Sequence, residues 1–141
     1  MSKHSFKNKL KKKSKIILIA NNLPCFFTLK KILETNCKVV RALSNDEDGI
    51  YKLSENLSKK NEKLSINMKK NKIRYLIGDV RDSKRCNELC QDVDIVIHAA
   101  AMKHVPICEY NPDEAKKTNF YGTKNIINAS IKNKVKKLLF I

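Results

Sequence analysis

Five short apolar runs punctuate this chain of 141 residues: KIILIA (Lys15–Ala20), CKVVRAL (Cys37–Leu43), IRYLI (Ile73–Ile77), DIVIHAA (Asp94–Ala100) and KKLLFI (Lys136–Ile141). The runs are short and rich in β-branched residues. The first is apolar at every position from Ile16 to Ala20, as suits a strand buried on both faces. Between them, apolar residues recur at helical spacing. Strands covered on both faces and alternating with helices must lie parallel, joined by right-handed crossovers. The expected class is α/β, a doubly wound parallel sheet of about five strands in the order 3-2-1-4-5. Its ligand crevice should open at the carboxyl ends of strands one and four.

The helices have readable limits. Phe26, Leu29, Ile32 and Leu33 mark one helix over Phe26–Glu34. SNDEDG is a polar, acidic turn where a second begins, and its apolar pattern runs from Ile50 towards Leu64 through Leu53 and Leu57. Asp82 can cap a third through Leu89. Pro112 suits the first turn of a long helix reaching about Asn133, with Ala115, Ile126, Ile127 and Ile131 on it. Residues 1–15 read as a disordered basic tail. Residues 16–141 read as one incomplete Rossmann-like domain, large enough for a real core.

Other function classes are excluded or disfavoured. No apolar run approaches 18 residues, so no membrane span is expected. The amino terminus has no apolar core before a cleavage site, so a cytoplasmic location is expected. The net charge of +16 suggests a polyanion partner. Yet the excess is mainly lysine spread along the chain, with only four arginines and no Trp. Base readout favours arginine, and single-strand binding favours interleaved aromatics, so nucleic acid is disfavoured. The five cysteines (Cys25, Cys37, Cys86, Cys90, Cys108) lack CxxC spacing. Cys86 and Cys90 lie one helical turn apart and could pair on a metal, but buried reduced thiols are the favoured reading. No metal site is expected.

From Ile73 onward the residues are more specific than the fold. IRYLIGDVRD, DVDIVIHAAAMKHVP and CEYNPDEAKKTNFYGTKNIINA occur in that order. Together they resemble the CapD-like polysaccharide biosynthesis proteins of the extended short-chain dehydrogenase/reductase superfamily. The likeness is to UDP-N-acetylglucosamine 4,6-dehydratases and related UDP-sugar epimerases, over about residues 15–141 and only the family's amino-terminal half. It implies a UDP-sugar substrate and NADP or NAD, with a hydride leaving the sugar C4 and, in the dehydratases, returning at C6. It also implies a Tyr-x-x-x-Lys pair and a Thr-Asp-Lys segment. Neither occurs here: four residues after Tyr51, Tyr75, Tyr110 and Tyr121 stand Glu55, Asp79, Glu114 and Asn125. A complete catalytic centre is therefore not expected of this sequence alone. Three readings follow: an inactive amino-terminal half, one chain of a split dehydratase completed by a second chain, and a non-catalytic nucleotide-binding or interaction module.

The resemblance also assigns cofactor positions. The family's glycine loop falls on LIANNLPCFF (Leu18–Phe27), where Asn21, Pro24 and Phe27 take the places of its three spaced glycines. Pro24 removes an N–H from a loop that donates N–H groups to phosphate, and Phe27 fills a position of close helix–strand packing. Cofactor binding is thus expected to be weak or lost. At the end of the second strand, Ser44-Asn45-Asp46-Glu47 replaces Ser-Arg-Asp-Glu, which removes the arginine suited to a 2′-phosphate. Asp79 and Val80 match the adenine-contacting pair, although Asp79 could instead cap the next helix. Ala99 to Ala101 allow close cofactor approach. Lys103 matches a lysine that lines both cofactor and substrate pockets. Asn119 matches a helix asparagine that supports the site. His98, His104, Thr118 and Thr123 are read as structural.

Overall fold

The computed structural model describes residues 14–20, 25–59 and 72–141; for 25–27 and 58–59 it describes the backbone only. Strand β1 (Lys15–Ala20) is followed by α1 (Cys25–Leu33), β2 (Val39–Ser44), α2 (Glu47–Lys59), β3 (Ile73–Ile77), α3 (Ser83–Cys90) and β4 (Ile95–Ala99). Then come two short helices, α4 (Val105–Tyr110) and α5 (Pro112–Lys116). A π-helical turn (Lys117–Gly122) leads into α6 (Thr123–Lys132), and β5 (Lys137–Phe140) follows. The strands form one parallel sheet in the order β3-β2-β1-β4-β5, the expected doubly wound, Rossmann-like arrangement.

The alternation of side chains along β1 explains why helices cover both faces. Ile16 and Leu18 enter one core with Leu29 and Ile32 of α1, Val40 and Ala42 of β2, and Leu57 of α2. Ile17 and Ile19 enter the other, with Cys86 and Leu89 of α3, Val96 of β4, and Ile126 and Ala129 of α6. All four β1 side chains are at most 2% exposed. At about 1.5–3 kcal/mol for each fully buried aliphatic side chain, this strand is a main source of stability.

Element limits differ from expectation at a few places, each for a local reason. Strand β2 starts at Val39 because Cys37 still belongs to the helix-side core, with its thiol 3.6 Å from the Ile32 carbonyl. Helix α2 starts at Glu47, within the SNDEDG turn as expected, where the Asp46 carboxylate accepts the Gly49 N–H at 3.0 Å and caps it. The expected extension to Leu64 falls on residues outside those described, as do residues 1–13 of the basic tail; Lys15, assigned to that tail, opens β1. Helix α4 was not anticipated. None of its residues is buried, so it carries no core-facing periodicity to read. The long helix from Pro112 is present, but it widens into a π turn at Lys117–Gly122.

Candidate functional site

Because every strand is parallel, the carboxyl ends of β1, β2, β3 and β4 gather at one edge of the sheet. Ala20 of β1 pairs in register with Ala99 of β4, and Ser44 of β2 with Ile77 of β3. Ala99, Ala100 and Ala101 thus stand at the carboxyl end of β4, next to the end of β1, where the crevice is expected. Of the junction that replaces the glycine loop, Asn21 and Pro24 lie outside the described residues. Phe27 falls in α1, and its side chain is not described.

Asp79 and Val80 follow β3 directly, and the long helix fixes them. Gly122 makes this possible: a Cβ there would lie 2.6 Å from Val80 Cγ2 and 3.2 Å from Val80 Cβ. Only glycine lets the helix lie so close to Val80. Asn125 completes the clamp, with Nδ2 donating to the Val80 carbonyl at 2.9 Å and to the Arg81 carbonyl at 3.2 Å. Gly78 is similarly confined, since a Cβ would meet Arg85 Cγ at 3.0 Å and Leu43 Cδ1 at 3.2 Å. Val80 is buried, while the Asp79 side chain keeps 27% exposure.

Asp79 does not cap α3. That role belongs to Asp82, which accepts the Arg85 N–H at 2.9 Å. Asp79 instead takes the side-on fork of Arg81, with Nη2 to Oδ2 at 2.6 Å. The Arg81 hydrogen bonds hold its carboxyl below the usual range, outweighing partial burial, with a lesser contribution from the Asn45 side chain. The group is therefore a fixed anion with Asn45, from the end of β2, at its side.

The same helical segment secures the far wall. Asn119, on the π turn, accepts the Met102 N–H and donates to the Met102 carbonyl, both at 2.8 Å. This pins the loop after β4 in the way two strands pair. The wider π turn carries both Asn119 and Gly122, consistent with the habit of such turns to occur at functional sites. Thr123 Oγ1 lies 3.1 Å from His98 Nε2 and ties the end of β4 to α6. His98 is buried, with its other ring nitrogen unpartnered and Phe140 set edge-on at 5.8 Å. Burial pushes its imidazole below the usual value, so it is a neutral packing residue.

The remaining expected positions are less engaged. Ser44 is buried and its hydroxyl accepts the Asp46 N–H at 3.0 Å. Lys103 is exposed beside a shallow apolar groove shared with Met102, Val105 and Cys108. His104 stands at the start of α4 without a side-chain cap bond. Thr118 is buried. Cys86 and Cys90 are free, buried thiols. Burial first, and then the neighbouring Cys90, push the Cys86 thiol up to about 12. Among the described residues no cluster of three or more metal-ligating side chains occurs. No helix among them is long and apolar enough to cross a membrane. The sequence reading assigned no role to Arg81, Glu114, Gly122 or Asn125. Their signal was their place inside GDVRD, NPDEA and GTKN, but only the fold brings the three motifs together.

Known proteins resemble this chain in sequence and fold. The family model described as polysaccharide biosynthesis protein matches residues 27–141. An uncharacterized membrane protein of Methanocaldococcus jannaschii is 42% identical over 113 residues, covering 80% of this chain and 31% of that protein. An inverting UDP-N-acetylglucosamine 4,6-dehydratase of Campylobacter jejuni is 60% identical over 67 residues, which is 48% of this chain and 20% of that enzyme. Among solved structures, Pen from Bacillus thuringiensis superposes with a TM-score of 0.79 at 41% identity, covering 93% of this chain and 38% of that one. A UDP-glucose 4-epimerase from Bifidobacterium longum, in complex with NAD+ and UDP, shares the fold with a TM-score of 0.68 at 20% identity, over 89% of this chain and 36% of that one. The chain thus spans a third or less of the length of these curated relatives, which include UDP-sugar enzymes. By motif order, fold and the match over residues 27–141, the chain belongs to the polysaccharide biosynthesis protein family.

Proposed function

We propose that this chain is the NAD(P)-binding-type half of a UDP-sugar 4,6-dehydratase or epimerase of polysaccharide biosynthesis, catalytically inert by itself. The observation that supports it best is the clamped Asp79–Val80 pair at the carboxyl end of β3, held by Gly122 and Asn125. The residues present fit the adenosine end of a dinucleotide. Asp79 offers a fixed carboxylate to an exocyclic amino group, and the buried Val80, packed against Gly122, holds the turn that presents it. Ser44 and Asn45 stand at the end of β2, where a ribose would hydrogen-bond. Ala99 and its small neighbours leave room beside β1, and Lys103 would serve both cofactor and sugar from the loop that Asn119 anchors. A bound NAD(P) would supply the hydride acceptor and donor of the family reaction.

Two features weaken this site relative to a three-glycine loop. Pro24 has no N–H for a phosphate, and Asn45 cannot neutralise a 2′-phosphate. The four tyrosines have no lysine four residues on, so no pair is available to move the C4 proton. Calorimetry with NADH and NADPH tests the reading. Weak binding is expected, of order 1 mM, with no strong preference for NADPH. Absence of heat at millimolar dinucleotide overturns cofactor binding. Turnover of UDP-N-acetylglucosamine by the purified 141-residue chain overturns inertness.

A second reading is favoured by exposed apolar side chains on the edge strand β5, Leu139 and Phe140, and on α6, Ile131. In it, a catalytic segment carried elsewhere covers this edge and completes the enzyme. Co-expression with adjacent reading frames distinguishes the two: restored turnover supports it, and the absence of both complex and turnover removes it.

A further inference from the structure

Arg81 joins two parts of the site that the sheet leaves separate. Its Nε lies 3.0 Å from Asp79 Oδ1 and 2.9 Å from Oδ2, its Nη2 donates to Oδ2, and its own backbone N–H donates to Oδ1 at 2.9 Å. On its other side Nη1 donates to Glu114 Oε2 at 2.8 Å, and Glu114 Oε1 accepts from Lys117 Nζ at 2.6 Å. A chain of charges thus runs from the end of β3 to the π turn that carries Asn119. The side chains of Asp79, Arg81 and Glu114 are 27%, 44% and 45% exposed. Ion pairs so exposed add little stability. What the fork does supply is orientation: a planar guanidinium side-on to a carboxylate fixes its plane, which a lysine ammonium cannot do. Since Asp82 caps α3, Asp79 is free of that duty.

We propose that Arg81 is a positioning residue for base recognition. Braced by Glu114, it holds the Asp79 carboxylate so that it accepts from the 6-amino group of an adenine and rejects a 6-oxo purine. The inference rests on the reading that Asp79 and Val80 seat the adenine. A carboxylate facing a 6-oxo group would set two acceptors against each other with no donor between, and that mismatch is the source of selectivity. Fixing the carboxylate matters because a rotated group could evade the mismatch.

The test is calorimetric titration of the full chain with NADH and with its hypoxanthine analogue, in the unaltered protein and in Arg81→Gln, Arg81→Lys and Glu114→Gln. Both positions are partly exposed, so the three variants should fold, which circular dichroism checks. The unaltered chain should prefer NADH roughly tenfold or more, the worth of one charge-assisted hydrogen bond. R81Q should lose most of that ratio, R81K should lose part of it, and E114Q should lose less than R81Q. A merely structural role would weaken both ligands alike and leave the ratio unchanged. If the unaltered chain prefers NADH and R81Q keeps the full preference, this proposal fails while the adenine site stands. If the unaltered chain binds neither ligand, or both equally, the underlying assignment of Asp79 fails as well.

Discussion

Replacing Gly122 by alanine tests how the adenine-side loop is held. Gly122 has helical dihedrals, φ −61° and ψ −45°, so the backbone accepts alanine without strain. On propensity alone the change should stabilise by about 1 kcal/mol. The tertiary structure opposes it, because the new Cβ would sit 2.6 Å from Val80 Cγ2. Val80 is β-branched, 5% exposed and packed in the core with Cys86 and Leu89, so it has little room to rotate away. Overpacking of this kind costs about 1–3 kcal/mol. The net expectation for G122A is a loss of roughly 0–2 kcal/mol, which is informative only as half of a cycle. In a Val80→Ala background the 2.6 Å contact is gone and only the Cβ contact at 3.2 Å remains, so the same glycine change should cost less or stabilise, by at most about 1 kcal/mol. Urea denaturation of the four proteins measures the coupling, expected at about 1–3 kcal/mol. If G122A changes stability equally in both backgrounds, the contact with Val80 does not explain the glycine. A G122A chain that keeps its stability in the Val80 background but binds NADH more weakly would show that the loop yields instead.

Asn119→Ala removes both 2.8 Å bonds to Met102 and should cost about 1–2 kcal/mol; hydrogen exchange should show the Met102 amide losing protection while β4 keeps it. His98 has a folded-state pKa below its unfolded value near 6.5, so between the two the unfolded chain binds more protons. Its contribution should therefore be level above about pH 6.5 and decline as pH falls, and a His98→Gln chain should show a shallower loss of urea midpoint from about pH 6.5 to 5. Cys86, with its thiol pushed up to about 12, should resist iodoacetamide at about pH 8 until denaturant opens the core. Mass mapping that finds rapid native alkylation of Cys86 would contradict its burial.

The sequence by itself determined the sheet. Ile16 to Ile19 are apolar at every position, which no half-exposed strand requires, and helices must then cover both faces. It also set Asp82 as a cap and Pro112 as a helix start, because those signals are local in the chain. Short α4 escaped it because an exposed helix buries nothing and so leaves no periodic trace. The holding of the site was decided only by tertiary structure. Gly122 and Asn125 act on Val80 across more than 40 residues of chain, and Arg81 reaches Glu114 across 33. GDVRD reads as a turn and GTKN as ordinary helix until the crossover from β3 through α3 and β4 lays α6 beside α3. Local pattern reports burial and caps, because those depend on neighbours in sequence. The fork of Arg81 on Asp79 is local, two residues apart, but its brace by Glu114 and the approach of Asn45 to the same carboxylate are properties of the fold.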